Sequence, residues 1–220
     1  MFFSVQQNDV DLTAAEDLRI EIRNYESIIK LCELSKDMDT KGSCLLEIGV
    51  CYYRLGDFEK AIHYFDLYLE IVKEMGDRNG EGVAYGKLGI AYSSLGDLKT
   101  SIHYQKLRLE IAKESGNIDE EGLAYNSLGL DYTRLGYFKE AIHYQELFLE
   151  NSKKVENGTG VGVVRAYGSL GNNYHNLGDF KKAVKYHELS LKIAKEAGDR
   201  EGEGSAYCGL GNDYESLGRF

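Results

Sequence analysis

The chain has 220 residues, with 26 Lys and Arg against 36 Asp and Glu, and a formal net charge of −10. That balance argues against nucleic acid and anionic membranes as partners, because both need clustered cations to neutralise phosphates. The length admits one ordinary domain or one extended array.

The N-terminus, MFFSVQQNDV, lacks a basic n-region, and its apolar run is too short for a signal peptide. No apolar stretch of 18 residues occurs anywhere, so a cytoplasmic location is expected. All 25 glycines lie at or after Gly42. Residues 1–14 therefore read either as a degraded first helix or as a flexible leader. Residues 15–41 read as a divergent opening repeat, with Leu18, Ile22, Tyr25, Ile29 and Cys32 on one helical stripe.

From residue 42 the chain repeats itself, and the turn glycines Gly56, Gly96, Gly136, Gly178 and Gly218 stand 40, 40, 42 and 40 residues apart. A fixed period of this size predicts units that stack only on their neighbours. The expected fold is an all-α solenoid of stacked antiparallel helix pairs, with units at 42–81, 82–121, 122–163 and 164–203 and an incomplete one at 204–220. Phe220 matches Phe58, the first residue of a second helix, so a fragment of a longer protein is expected. Its open last repeat could support self-association.

Within a unit the first helix carries sets such as Leu88, Gly89, Tyr92 and Leu95, and it stops at a glycine. Asp57, Asp97 and Asp179 are then expected to cap the second helices. Phe58, Ala61, Ile62, Phe65, Leu69 and Val72 form the apolar stripe of the first such helix. Gly76-Asp77, Gly116-Asn117 and Gly198-Asp199 then offer a left-handed stop followed by a new cap. The absence of proline agrees with uninterrupted helices joined by glycine turns.

No enzyme, cofactor or metal centre is predicted. His63, His103 and His143 recur at 40-residue steps, but each falls opposite the apolar stripe, where stacking keeps equivalent residues at least a helix diameter apart. Cys32, Cys44, Cys51 and Cys208 form no Cys-x-x-Cys pair and read as reduced thiols. NGTGVGVV (157–164) lacks the preceding strand that a dinucleotide loop needs, and its sequon at Asn157 matters only outside the cytosol. Asp119, Glu120 and Glu121 sit at a helix start, where solvated negative charge suits the dipole. Tyr52, Tyr92, Tyr132, Tyr174 and Tyr214 read as interhelix packing with a wet hydroxyl.

These units, with Leu-Gly-x-x-Tyr in the first helix, Ala early in the second and an aromatic four residues later, resemble the tetratricopeptide repeat family. The 40-residue period, with LGDFxKAI and AYxxLGN, looks most like the long repeats of Pins-like G-protein-signalling modulators and related scaffolds. The resemblance implies a right-handed superhelix whose first helices line a concave, peptide-holding groove. By offset from the packing set, the groove residues are expected to be Leu46, Val50, Tyr53, Arg54, Ile90, Asn126, Leu130, Arg134, Arg165, Asn172, His175 and Asn212. Resemblance implies that Arg165 pairs with acidic or backbone groups of a peptide, and that Asn172 and Asn212 bond its main chain.

The function expected is an intracellular adaptor holding a protein or peptide segment that is amphipathic and partly acidic, with carboxylates against Arg134 and Arg165. The alternative is a regulatory or sensor module of a larger multidomain NTPase or signalling enzyme, with the groove occupied in cis.

Overall fold

The computed structural model describes residues 3–155 and 160–218, with side chains from Thr13 onward. Those residues form ten α-helices and no strand: α1 (Phe3–Ser35), α2 (Met38–Arg54), α3 (Phe58–Met75), α4 (Arg78–Leu95), α5 (Leu98–Ser115), α6 (Ile118–Arg134), α7 (Phe138–Val155), α8 (Val161–Asn176), α9 (Phe180–Ala197) and α10 (Arg200–Ser216). They divide into two compact units, residues 1–104 and 105–220, with the boundary inside α5. In unit 1 each of α1, α2, α3 and α4 packs on the next. In unit 2 the same holds for α6 to α10, and the even-numbered helices also touch, α6 with α8 and α8 with α10. The chain thus has the all-α fold of stacked helix pairs.

Local chemistry sets the helix ends. Asp57, Asp97 and Asp179 accept the backbone N–H three residues on at 3.2 Å, and Asp77, Asn117 and Asp199 cap the intervening helices in the same way. The Thr100 hydroxyl and backbone N–H hold the Asp97 carboxyl below the usual carboxylate range. Gly76 ends α3 at φ 69°, so Asp77 can close the turn onto the Val72 carbonyl. At the aligned position after α1 stands Lys36, also left-handed at φ 58°, a conformation that costs an L residue about 1–2 kcal/mol. Residues 3–14 and 15–35 share the single helix α1.

The repeated tyrosines stack across each helix pair. Tyr52 on Tyr64, Tyr92 on Tyr104, Tyr132 on Tyr144 and Tyr174 on Tyr186 have ring centroids 5.2–5.6 Å apart, planes within 15° of parallel. His63, His103 and His143 are exposed, each with its ring against the neighbouring tyrosine. The sequon at 157–159 lies outside the described residues, as does Phe220; α8 starts at Val161, behind a Gly160 that gives no side-chain cap.

One expectation is corrected. Glu120 is not a solvated capping charge: its carboxylate is 2.7 Å from Arg108 Nη2, and Arg108 is only 8% exposed. A guanidinium that deeply placed needs an anion beside it, and Glu120 supplies it.

The thiols differ sharply in access. Cys32, Cys44 and Cys51 are buried and Cys208 is exposed. Burial, reinforced by the bond to Glu21, pushes Cys51 up to about 11. A thiol-reactive chromophore at neutral pH should therefore label one cysteine per folded chain quickly and the other three only after denaturant is added; rapid labelling of two or more would refute this packing.

Candidate functional site

Each first helix turns one face towards the stack and one away from it. In unit 1 the sequence-derived groove residues are Leu46, Val50 and Tyr53, all half-buried on α2, then exposed Arg54, and Ile90 on α4, 38% exposed. The Tyr53 hydroxyl meets Ser94 Oγ at 2.9 Å, tying the faces of α2 and α4 together. In unit 2, Asn126 is half-buried, with its side-chain oxygen lacking a hydrogen-bond partner, and Leu130 is 44% exposed. Arg134 reaches the buried Asp131 carboxylate at 3.9 Å.

Four of the predicted residues are brought together. Arg165 and Asn172 of α8 line a cavity of about 270 Å³ that continues along α9 and α10. Asn172, His175 and Asn212 line a second, of about 360 Å³, with Thr133 of α6 on its far side. His187 of α9 lines both, so one ring stands between the two cavities.

His187 was not among the expected groove residues, and neither was Asp213. His187 occupies the apolar-stripe position of Phe65, which Gln105 and Gln145 fill in the repeats between. All four side chains are at most 2% exposed. A side chain so placed presses on the glycine of the Leu-Gly-x-x-Tyr motif: a Cβ on Gly49 would lie 2.5 Å from the Phe65 ring, and one on Gly171 would lie 2.5 Å from the His187 ring. His187 meets a second helix as well, since a Cβ on Gly209 of α10 would lie 2.6 Å away. The missing methyls let an imidazole slot between two helix backbones.

The slot delivers His187 to Asp213. Asp213 is fully buried; its Oδ2 is 2.7 Å from His187 Nδ1 and its Oδ1 is 2.7 Å from His175 Nδ1. His187 Nε2 stands 3.3 Å from Asn172 Oδ1, and the Phe180 ring braces His175 edge-on at 5.2 Å. In the preceding repeat the matching residue, Asn173, is also buried and takes the Thr133 hydroxyl at 2.8 Å. One sequence signal could have found this cluster: reading down the aligned repeats, Cys51 and Ala91 give way to Asp131, Asn173 and Asp213 at a position that packing demands be buried. Chemically the site offers hydrogen bonds and charge, but no group of three metal-ligating side chains occurs among the described residues.

The tetratricopeptide repeat model matches residues 43–114, 120–196 and 162–220. No curated protein matches the chain. Among solved structures it is similar to BtubC (BKLC) from P. vanneervenii, at 21% identity and a TM-score of 0.78 over 92% of this chain and 85% of that one. It is also similar to a signal transduction ATPase with numerous domains (STAND), a protein with a tetratricopeptide repeat sensor from Pyrococcus horikoshii, at 22% identity and a TM-score of 0.74 over 91% of this chain but 32% of that one. The tetratricopeptide repeat domain of Arabidopsis FLU is 29% identical with a TM-score of 0.50, covering 56% of this chain and 99% of that domain. The first two likenesses carry the fold alone, whereas the family match spans most of the sequence. The chain belongs to the tetratricopeptide repeat family.

Proposed function

We propose that the chain is a protein–protein interaction module that holds an extended, partly acidic peptide segment against the first-helix face of unit 2. The observation carrying this reading is the convergence of Arg165, Asn172, His175 and Asn212 on two adjoining open cavities. Arg165 is exposed and makes no ion pair among the described residues, so its charge is available to a carboxylate. Asn172 and Asn212 are exposed carboxamides, each able to donate to and accept from a peptide main chain. Arg134 is the weaker anchor, because Asp131 already shares its charge. Exposed Leu130 gives the segment an apolar neighbour on α6.

A peptide display library selected on the chain tests this. The winners should be enriched in Asp and Glu, and Arg165→Glu should weaken them at least tenfold while leaving the helical circular dichroism unchanged, because Arg165 contributes to no buried contact. Undiminished binding to Arg165→Glu would sink the assignment.

A second reading has one observation in its favour. The chain covers only 32% of a STAND protein with a tetratricopeptide repeat sensor, which is how a regulatory module within a larger protein would align. In that reading the same face is filled in cis, and a purified longer form should bind the selected peptides more weakly than the 220-residue chain does.

A further inference from the structure

We propose that the groove between α1 and α3 in unit 1 docks a basic amphipathic helix of a protein partner, which lays one aromatic ring over Leu45 and sets Lys or Arg against the glutamates on the rim. This surface belongs to the second helices and is separate from the first-helix face of unit 2, so the two assignments stand or fall independently.

The later repeats close the same groove from within. Aligned on Leu45 are Tyr85, Tyr125, Tyr167 and Tyr207. Each ring carries a lysine from the second helix before it: Lys73, Lys113, Lys153 and Lys195 stand 5.3–5.7 Å from the ring centroids. Tyr167 shows what the pair does. Lys153 reaches it from α7 while Tyr186 of α9 lies 6.2 Å away, so one ring spans the gap between two second helices. The first repeat has neither half of this plug: Leu45 stands at the tyrosine position and Glu33 at the lysine position. What results is a cavity of about 580 Å³ between α1 and α3, with α2 as its floor.

The cavity keeps the chemistry that an aromatic ring and a cation would satisfy. Ile29, Met38, Leu45, Leu67 and Ile71 line it with apolar surface, and Met38, half-buried, can adapt to the shape of what enters. Tyr64, the counterpart of Tyr186, stacks on Tyr52 and also lines the cavity. Glu26 and Glu33 stand on the α1 rim and Glu70 and Glu74 on the α3 rim, all four exposed. The rim sets only Lys30 and Lys41 against them, and Lys41 is already 3.4 Å from Glu33, so the surplus charge is negative. Glu70 and Glu74, one turn apart on the same helix, repel each other, and a cation beside them relieves that.

The occupant is a helix because of where its main chain would go. None of the residues lining the cavity is Asn, Gln, Ser or Thr, and the walls are helices whose own backbone groups are bonded internally. An extended segment would bury N–H and C=O groups without partners, whereas a helix arrives with them satisfied. Length agrees. Glu26 also lines a second cavity, of about 470 Å³, that continues the groove along α1 to Arg19. From Arg19 to Glu33 α1 rises roughly 21 Å, about four helical turns. Arg19 and Arg23 at that end are paired with Glu16, and Lys60 with Asp57, which leaves the acidic end to fix the partner's charge.

The probe is a fluorescent, stapled helix of four turns presenting one Phe with a Lys one turn to either side, titrated into the full chain by anisotropy. Beside it run a copy with Ala for the Phe and a copy with Glu for both lysines. The probe should bind saturably, and each copy at least tenfold more weakly. Leu45→Tyr with Glu33→Lys rebuilds the plug of the other repeats and should weaken the probe at least tenfold with the helical circular dichroism unchanged. Glu70→Lys with Glu74→Lys, at exposed positions, should do the same and keeps the test decisive if the plugged chain does not fold. Arg165→Glu should leave the probe's affinity as it was. Lack of saturable binding, equal binding of the Ala copy, undiminished binding to the Glu70/Glu74 variant or to a folded plugged chain, or loss on Arg165→Glu would each overturn the proposal. Sedimentation of the chain alone covers the remaining occupant: self-association that the plug abolishes would give the groove to a second copy and overturn the foreign helix.

Discussion

Replacing His187 with Phe should destabilise unit 2 by about 3 kcal/mol, and adding Asp213→Ala to the same chain should restore most of the loss. The single change leaves a carboxylate with no exposed surface facing a ring that cannot donate, and leaving a buried polar group short of a hydrogen-bond partner costs roughly 1–3 kcal/mol, with the upper end for a carboxylate. The loss goes no higher because His175 keeps its bond to the other oxygen. The double change recreates chemistry that the molecule already uses: at the aligned positions of unit 1 stand Phe65 and Ala91, both buried. Urea unfolding followed by circular dichroism reads the difference as a shift in the transition midpoint, compared at constant slope because stacked repeats need not unfold as one step. If the double variant is as unstable as the single one, the cost lies in ring shape and not in the stranded charge.

An alanine at a motif glycine should cost stability. Gly49→Ala should destabilise the chain by about 1–2 kcal/mol, because its methyl would stand 2.5 Å from the Phe65 ring, which is fully enclosed and cannot move aside. The helix-propensity gain of about 1 kcal/mol offsets only part of that. A thermal melt of the variant beside the parent checks the sign. A stabilised Gly49→Ala would mean that Phe65 is not seated as described.

These paired outcomes show which parts of the molecule were legible in advance. Helix ends were: glycines that looked like stops have φ of +65° to +96°, and the aspartates beside them cap the next helix. The outward histidines were legible too, because their place opposite the apolar stripe follows from helical period alone. Arg165, Asn172, His175 and Asn212 could be picked out as polar residues on one face. Their shared cavities could not, since those form only where α8, α9 and α10 come together. His187 and Asp213 were hidden for a different reason. They stand at stripe positions where repeats elsewhere put Phe65 and Ala91, and a polar residue in such a series reads as drift unless its partner is known.

By itself the sequence determined the scaffold: the period, the helix pairs, the caps and the turns. Each of these is decided within about four residues, by helical geometry, by an acceptor three positions before a free N–H, or by the conformational freedom of glycine. Only the tertiary structure decided the rest, because it turns on neighbours brought in from 26 and 38 residues away. One motif glycine is a seat for a phenylalanine ring and another for an imidazole, and two histidines share a carboxylate with no exposed surface. Identical local sequence carries no record of which side chain will lie across the interface, and that side chain sets both the sign of a mutation and the chemistry of the groove.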